Sequence, residues 1–525
     1  MASFAWILSL GVGFLSLSQE ILWVRLVSFT TRGLSQSFAL VLFLFLIGIA
    51  VGSAIGKRLC ERQHDLLRTS AIVLGLAAVV DLSLLGLLPV IVQWQSGASV
   101  FALIVVTALL KSIMFPIAHH LGSQQSGARI GRSVSKVYFG NIVGSTLGPI
   151  VTGYILLDRL TMDQCLLLIG LATGLLSLSC AMRARALRIG LAAALVIVPA
   201  AVLAWPGPLS LAGAIAAADK TLKPGARISH VVENRSGIIH TIAEPNGSSE
   251  AVMGGNVYDG RIAVDMDANQ NALDRALVLL ALHPNPENVV VVGLSTGAWA
   301  RILSASPRIK HMTVVEINPG YLQLIAQYPQ VAPVLSDPRI EIVVDDGRRW
   351  LRRHPQARFD LFVQNTTFSW RAYSTNLLSR EYMQLAGAHL KPGGIVALNS
   401  TDSSDVLKTA TEVFPFVERR SNFIYGSFSD ISRPLPNAEA AYHELRLDDK
   451  LVFGDAAFRE GGLVRNMIGA PFVPHAHQYD GMSEAPTAVS DQNLVVEHAH
   501  ARMRGSFPAF YRQVDAVRSL LHRDH

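Results

Sequence analysis

Seven apolar stretches crowd the first 205 residues, at about 4–27, 36–56, 70–92, 98–118, 137–157, 162–182 and 188–205. About 20 apolar residues cross a bilayer as one helix, and backbone inside lipid must satisfy its own hydrogen bonds. Residues 1–205 are therefore expected to form a multi-pass helical membrane domain of about seven helices. The first stretch is too long for a signal peptide and lacks a small-residue cleavage site. The bulk numbers agree: half of the 525 residues are hydrophobic and 16% are charged, against roughly 25% in a soluble domain. The mean hydropathy is +0.35.

Loop charges orient these stretches, because cytoplasmic loops collect Lys and Arg. Lys57, Arg58, Arg62, Arg68, Arg129, Arg132, Lys136, Arg183, Arg185 and Arg188 follow the even-numbered stretches. Arg25, Arg32 and Arg159 belong to the odd-numbered loops and their flanks. That bias puts the N-terminus and the even loops in the cytoplasm. The last stretch decides the rest: a crossing leaves residues 220–525 outside, and a turn-back returns them inside. It is short and contains Pro199, but Arg188 and Trp205 read as interfacial anchors at its two ends. This favours a crossing.

Four polar residues, Glu20, Asp81, Lys111 and Asn141, fall inside apolar stretches. Such groups face a partner or a cavity. The third and fourth stretches form an antiparallel hairpin, so Asp81 and Lys111 can neutralise each other; a polar path for a substrate is the other reading. Gly140, Gly144 and Gly148 recur every four residues, which suits close helix packing. The net charge of +6 is explained by membrane-flanking bases, and no compact basic and aromatic patch points to nucleic acid. Cys60, Cys165 and Cys180 sit at unrelated spacings and support neither disulfides nor a metal site. His475, His477, His498 and His500 alternate in two pairs. They lack an acid or cysteine at ligand spacing, so no metal is expected there.

The second half is patterned differently. VVVVG (289–293), TVVEI (313–317), IEIVV (340–344), FDLFV (359–363) and GIVAL (394–398) read as fully buried parallel strands, with helical segments between them. That rhythm implies an α/β doubly wound, Rossmann-like sheet, whose ligands bind beyond the carboxyl ends of the strands. Functional residues should follow each strand. Gly293 and Gly297 let the backbone approach a ligand. Glu316 is placed to accept from ribose hydroxyls, and Asp346, beside Gly347, from an adenine amino group. Residues 206–285 read as a linker with a small β-rich element, 286–430 as the Rossmann-like domain, and 431–525 as a C-terminal extension.

The run NVYDGRIAVDMD, HPNPENVVVVGLSTG, VVEINP, DPRIEIVVDDGRRWL, FDLFVQNTTFSW and LLSREYMQLAGAHLKPGGIVAL resembles the spermidine/spermine synthase superfamily. In particular it is similar to bacterial members fused to a multi-pass membrane domain. SQEILWVRL, YFGNIVGSTLG and SDQNLVVEHAH extend the similarity. The resemblance implies a bacterial inner (cell) membrane location and a pocket for an adenosyl sulfonium ligand, either S-adenosylmethionine, its decarboxylated form, or the product methylthioadenosine. By that match Glu316 holds the ribose, Asp346 and Gly347 the adenine end, and Gly293 and Gly297 form the glycine loop. No metal is implied. Expected partners are the bilayer, a small molecule such as an amine, and a second copy of the chain.

The departures bear on the chemistry. The family places two acids three residues apart after the fourth strand; here those places hold Gln364 and Thr367. Ser295 replaces the middle glycine of the loop. Aminopropyl transfer needs an amine with a free lone pair, so some group must take its proton. Asp259, Asp265 and Asp267 are substitute acids, with turn-forming roles as the plainer reading. Candidate catalytic residues are therefore Asp259, Asp265 and Gln364. The sequence leaves open whether the chain is a transferase with altered acceptor chemistry, a non-catalytic binding or scaffold relative, or a transporter or sensor working through its membrane half.

Overall fold

The computed structural model describes residues 2–62, 65–94, 97–123, 130–203, 210–219, 222–247, 249–365, 368–470, 472 and 485–498. Thr366, Thr367, His475, His477, His500 and the side chain of His498 lie outside the described residues. The described residues divide into two compact units, residues up to 223 with 233–238, and 224–232 with 239–498.

The first unit is a helical bundle: α1 (Ala2–Thr30), α2 (Gln36–Glu61), α3 (Leu66–Gln93), α4 (Gly97–Ser112), α5 (Met114–Ser123), α6 (Ile130–Val151), α7 (Met162–Arg183) and α8 (Leu187–Leu203). α4 and α5 make one interrupted span, and a π-helical turn, Thr152–Leu156, extends α6. Among the described residues, six helices are long and apolar enough to cross a membrane. The seventh expected segment is the shorter α8, of 17 residues.

Two glycine stripes set the packing. An added Cβ at Gly144 would lie 2.0 Å from the Leu10 carbonyl oxygen, and one at Gly148 2.4 Å from that of Phe14. α6 therefore rests backbone to backbone on α1. Gly48, Gly52 and Gly56 form a second stripe, whose Cβ atoms would sit 2.6, 2.3 and 2.5 Å from carbonyl oxygens of α4 and of Ile113. Small residues allow this approach where lipid supplies no hydrophobic drive between helices.

Asp81 and Lys111 meet at the bundle centre, 0% and 1% exposed. The ammonium donates to both Asp81 oxygens, at 2.9 and 2.7 Å, and to Gln19 Oε1 at 2.5 Å. Gln19 Nε2 and Thr173 Oγ1 return hydrogen bonds to Asp81 at 2.7 and 3.3 Å. A lysine has three protons to give, and all three are placed. The cluster is closed on itself, so it joins α1, α3, α4 and α7. Asn141, by contrast, donates to the Ser9 carbonyl at 3.4 Å, and Glu20 is buried nearby on α1.

After the bundle comes a four-stranded sheet, β1 (Arg227–Asn234), β2 (Gly237–Ala243), β3 (Ala251–Gly254) and β4 (Val257–Arg261). The main sheet follows, built from β5 (Asn288–Val292), β6 (His311–Glu316), β7 (Ile340–Val344), β8 (Phe359–Gln364), β9 (Leu390–Asn399), β10 (Phe416–Arg420) and β11 (Phe423–Ser427). Its order is β10-β11-β9-β8-β5-β6-β7. β9, β8, β5, β6 and β7 run parallel, as the apolar runs implied. β10 and β11 add an antiparallel edge. β5 and β8 are almost wholly buried, whereas β7, at the other edge, is half exposed rather than fully buried as expected. The chain leaves β5 toward β6 and later returns to its other side as β8, so the switch point lies between β5 and β8.

Candidate functional site

Parallel strands deliver the predicted residues to one edge of the sheet. Beyond β5 the chain turns through GLSTG. Gly293 (φ +91°) and Gly297 (φ +75°) hold left-handed conformations, and a Cβ at Gly293 would stand 3.1 Å from the Asn365 carbonyl oxygen. Ser295 adopts φ +48° despite its side chain, an arrangement that costs roughly 1–2 kcal/mol. Its hydroxyl donates to the Asp259 carbonyl, which offsets the strain and ties this turn to β4.

Glu316 closes the turn from β6. Its Oε2 accepts from the Leu294 amide at 2.7 Å and its Oε1 from the Asn318 amide at 2.8 Å. A carboxylate offers about four acceptor sites, more than these amides fill. Burial pushes the carboxyl up to about 7; the backbone amides of Asn318, Leu294 and Ser295 act downward, and the charge of Asp259 acts upward.

Asp259 lies in β4 beside the same turn. Its Oδ2 accepts from the Tyr321 hydroxyl at 2.5 Å. Burial raises its carboxyl above the usual range, opposed by that hydrogen bond and by the Arg371 guanidinium. The loop after β8 thus carries a cation toward Asp259, where two acids were the family expectation. Burial in turn lowers Arg371, and its terminal nitrogen occupies the place a Cβ on Gly255 would need.

Asp346 caps the helix Gly347–Arg353, accepting from the Arg349 amide at 2.7 Å. Gly347 packs on Val292, 2.6 Å from where its Cβ would be. Gln364, the last residue of β8, is fully buried and donates to the Leu377 carbonyl at 2.9 Å. The next residue, Asn365, instead lines a cavity of about 220 Å³ with Tyr258, Asp259, Gln270, Asn271, Arg275, Asn399, Thr401 and Asn422. Asp265 is exposed and lines a second cavity of about 510 Å³, with Glu250 and Tyr328. It accepts from the Asp267 amide at 3.0 Å, a turn contact. The structure therefore brings Asp259 and Glu316 together and leaves Asp265 and Asp267 apart from them.

Residues 276–422 match the family model of the spermine/spermidine synthase domain. This chain carries a spermine/spermidine synthase domain. Polyamine aminopropyltransferases are similar to it: that of Streptococcus uberis is 32% identical over 120 residues, covering 23% of this chain and 41% of the relative. That of Agathobacter rectalis is 30% identical over 141 residues, covering 26% and 48%. The chain spans about half the length of the curated relatives it matches. A crystal structure of spermidine synthase in complex with the transition state analogue AdoDATO is 16% identical, over 46% of this chain and 88% of that one, with a TM-score of 0.35.

Around this site, sequence reasoning missed Tyr321, Arg371 and Arg275, which carry no motif of their own. It also quoted SDQNLVVEHAH without a role. Asp491 of that run forms a bidentate pair with Arg348, one contact at 2.7 Å. It also accepts from Ser379 at 2.6 Å. Glu497 accepts from the amides of Tyr373 and Thr375 at 3.0 and 3.2 Å. The C-terminal segment so braces the loop that presents Arg371.

Proposed function

We propose that the synthase domain binds an adenosyl sulfonium donor at Glu316 and passes its transferable group to an acceptor that is not a diamine. The carrying observation is the Glu316 carboxylate, fixed by two backbone amides beside the Gly293–Gly297 turn. Its remaining acceptor positions suit vicinal ribose hydroxyls, and its charge suits a sulfonium. In the transfer, an amine lone pair attacks the carbon attached to sulfur. The C–N bond forms as the C–S bond breaks, the thioether nucleoside leaves, and the nitrogen's surplus proton passes to a base. Asp259, raised by burial, is the acid side chain placed for that role.

Loop charge and helix count support a multi-pass protein of the cell membrane whose synthase domain lies on the cytoplasmic side. An even number of crossings, as the six long helices among the described residues would make, returns the chain to the side where it started. α8 is not among those six; its described residues, Leu187–Leu203, cover about 25 Å at 1.5 Å per residue, against a hydrocarbon core of roughly 30 Å. Fluorescent-protein and phosphatase fusions at residues 185, 222 and 525 test this; phosphatase activity at 525 would refute it.

Calorimetry on the full-length protein with methylthioadenosine and both forms of S-adenosylmethionine tests the donor site. Binding of at least one is expected, with aminopropyl transfer to putrescine near background. No heat from any of the three would leave the sheet a scaffold, and robust spermidine formation would overturn the acceptor half of the reading.

A further inference from the structure

The cavity beside Asp259 has an unusual lining for a site that takes a polycation. Five of its side chains are amides: Gln270, Asn271, Asn365, Asn399 and Asn422. Amides position a ligand but supply no charge. Its single carboxylate, Asp259, is engaged by Tyr321 and faced by Arg371. A second cation, Arg275, enters the same lining. The Arg275 guanidinium stands 5.8 Å from the centre of the Phe423 ring, which holds it in place by cation–π attraction. It has no hydrogen-bond or carboxylate partner among the described residues. A diammonium chain placed here would set one of its charges against that guanidinium. An anionic end would instead find a planar, five-donor partner built for carboxylates.

We infer that this cavity binds a small zwitterion, with an amine toward Asp259 and a carboxylate toward Arg275, so that the acceptor is an amino acid rather than a diamine. The inference rests on the reading of this cleft as the acceptor side of a transferase. Size agrees with it. At roughly 10–15 Å³ of cavity space per water, about 220 Å³ is ample for a molecule of a few carbons. The charges agree as well: the described lining holds one carboxylate, Asp259, and one guanidinium, Arg275, while Arg371 also faces Asp259.

The test compares 4-aminobutyrate with putrescine, two four-carbon amines that differ in one terminal group. Each is titrated into the full-length protein in nanodiscs, with and without methylthioadenosine. 4-Aminobutyrate should bind at least tenfold more tightly than putrescine. Arg275→Gln should remove at least tenfold of that affinity and Arg275→Lys should keep part of it, with the affinity for methylthioadenosine unchanged in both. Equal or tighter binding of putrescine would overturn the inference, as would unchanged 4-aminobutyrate binding in Arg275→Gln or no binding of either amine. Failure of methylthioadenosine alone to bind would instead overturn the donor-site reading, while the two amines still decide this one.

Discussion

Replacing Glu316 with glutamine isolates what the carboxylate does, because the side chain keeps its size and loses one acceptor end. In the native turn both ends accept backbone amides, from Leu294 and Asn318. Glutamine can accept at one end only, so its NH₂ must face the other amide. One buried donor is left without a partner, at about 1–3 kcal/mol. Hydrogen exchange should accordingly quicken at Leu294 or Asn318, beginning in the free protein. Losing the charged acceptor for ribose hydroxyls removes about 1.5–3 kcal/mol of binding, or roughly 10- to 100-fold in the Kd for methylthioadenosine. The pH dependence is the sharper readout. With the carboxyl at about 7, roughly a tenth is ionised at pH 6 and roughly nine tenths at pH 8. Wild-type affinity should therefore rise about tenfold between those values, and the variant's should stay flat. Asp259, with Tyr321 and Arg371 around it, is the other titrating acid at hand, and it remains in both proteins. The same raised carboxyl, ordinarily at 4.5, favours the folded ligand-free domain below that value and withdraws this contribution as pH climbs through about 7. Affinity that is unchanged in the glutamine variant, with the wild-type slope retained, would refute the assignment of Glu316 to the ligand.

Other perturbations address other parts of the molecule. Lys111→Met leaves Asp81 buried without its ammonium and should destabilise the bundle by about 3–5 kcal/mol. Adding Asp81→Leu should recover most of that loss in detergent thermal melts, and no recovery would contradict the pairing as the source. Gly144→Leu forces a side chain into the Leu10 carbonyl, so it should cost more stability than the same change at Gly153, where a Cβ meets nothing within 4 Å. Asn365→Asp adds a carboxylate to the amide-lined cavity while its oxygen can still accept from Asn399. Titration should find putrescine binding strengthened about tenfold and 4-aminobutyrate binding weakened.

Much of this architecture was legible in the residues. Apolar runs of bilayer length and β-branched runs of strand length are local signals, and each specifies its element wherever the chain places it. Glu316 and the two turn glycines were legible for a related reason: in a parallel sheet, a residue at a strand end is carried to the ligand edge whatever its neighbours are. Side-chain direction at that edge was not legible. Gln364 and Asn365 differ by one position, and alternation along the strand sends the first to Leu377 and the second into the cavity. Arg371, Arg275 and the bracing by Asp491 depend on contacts across 100 residues or more, or on where a loop comes to rest. No local pattern encodes that. The helical half divides the same way: sequence offered Asp81 and Lys111 as a neutralising pair or as part of a polar path. The enclosure of that pair by Gln19 and Thr173, which makes it a closed cluster, exists only once four helices have packed around it.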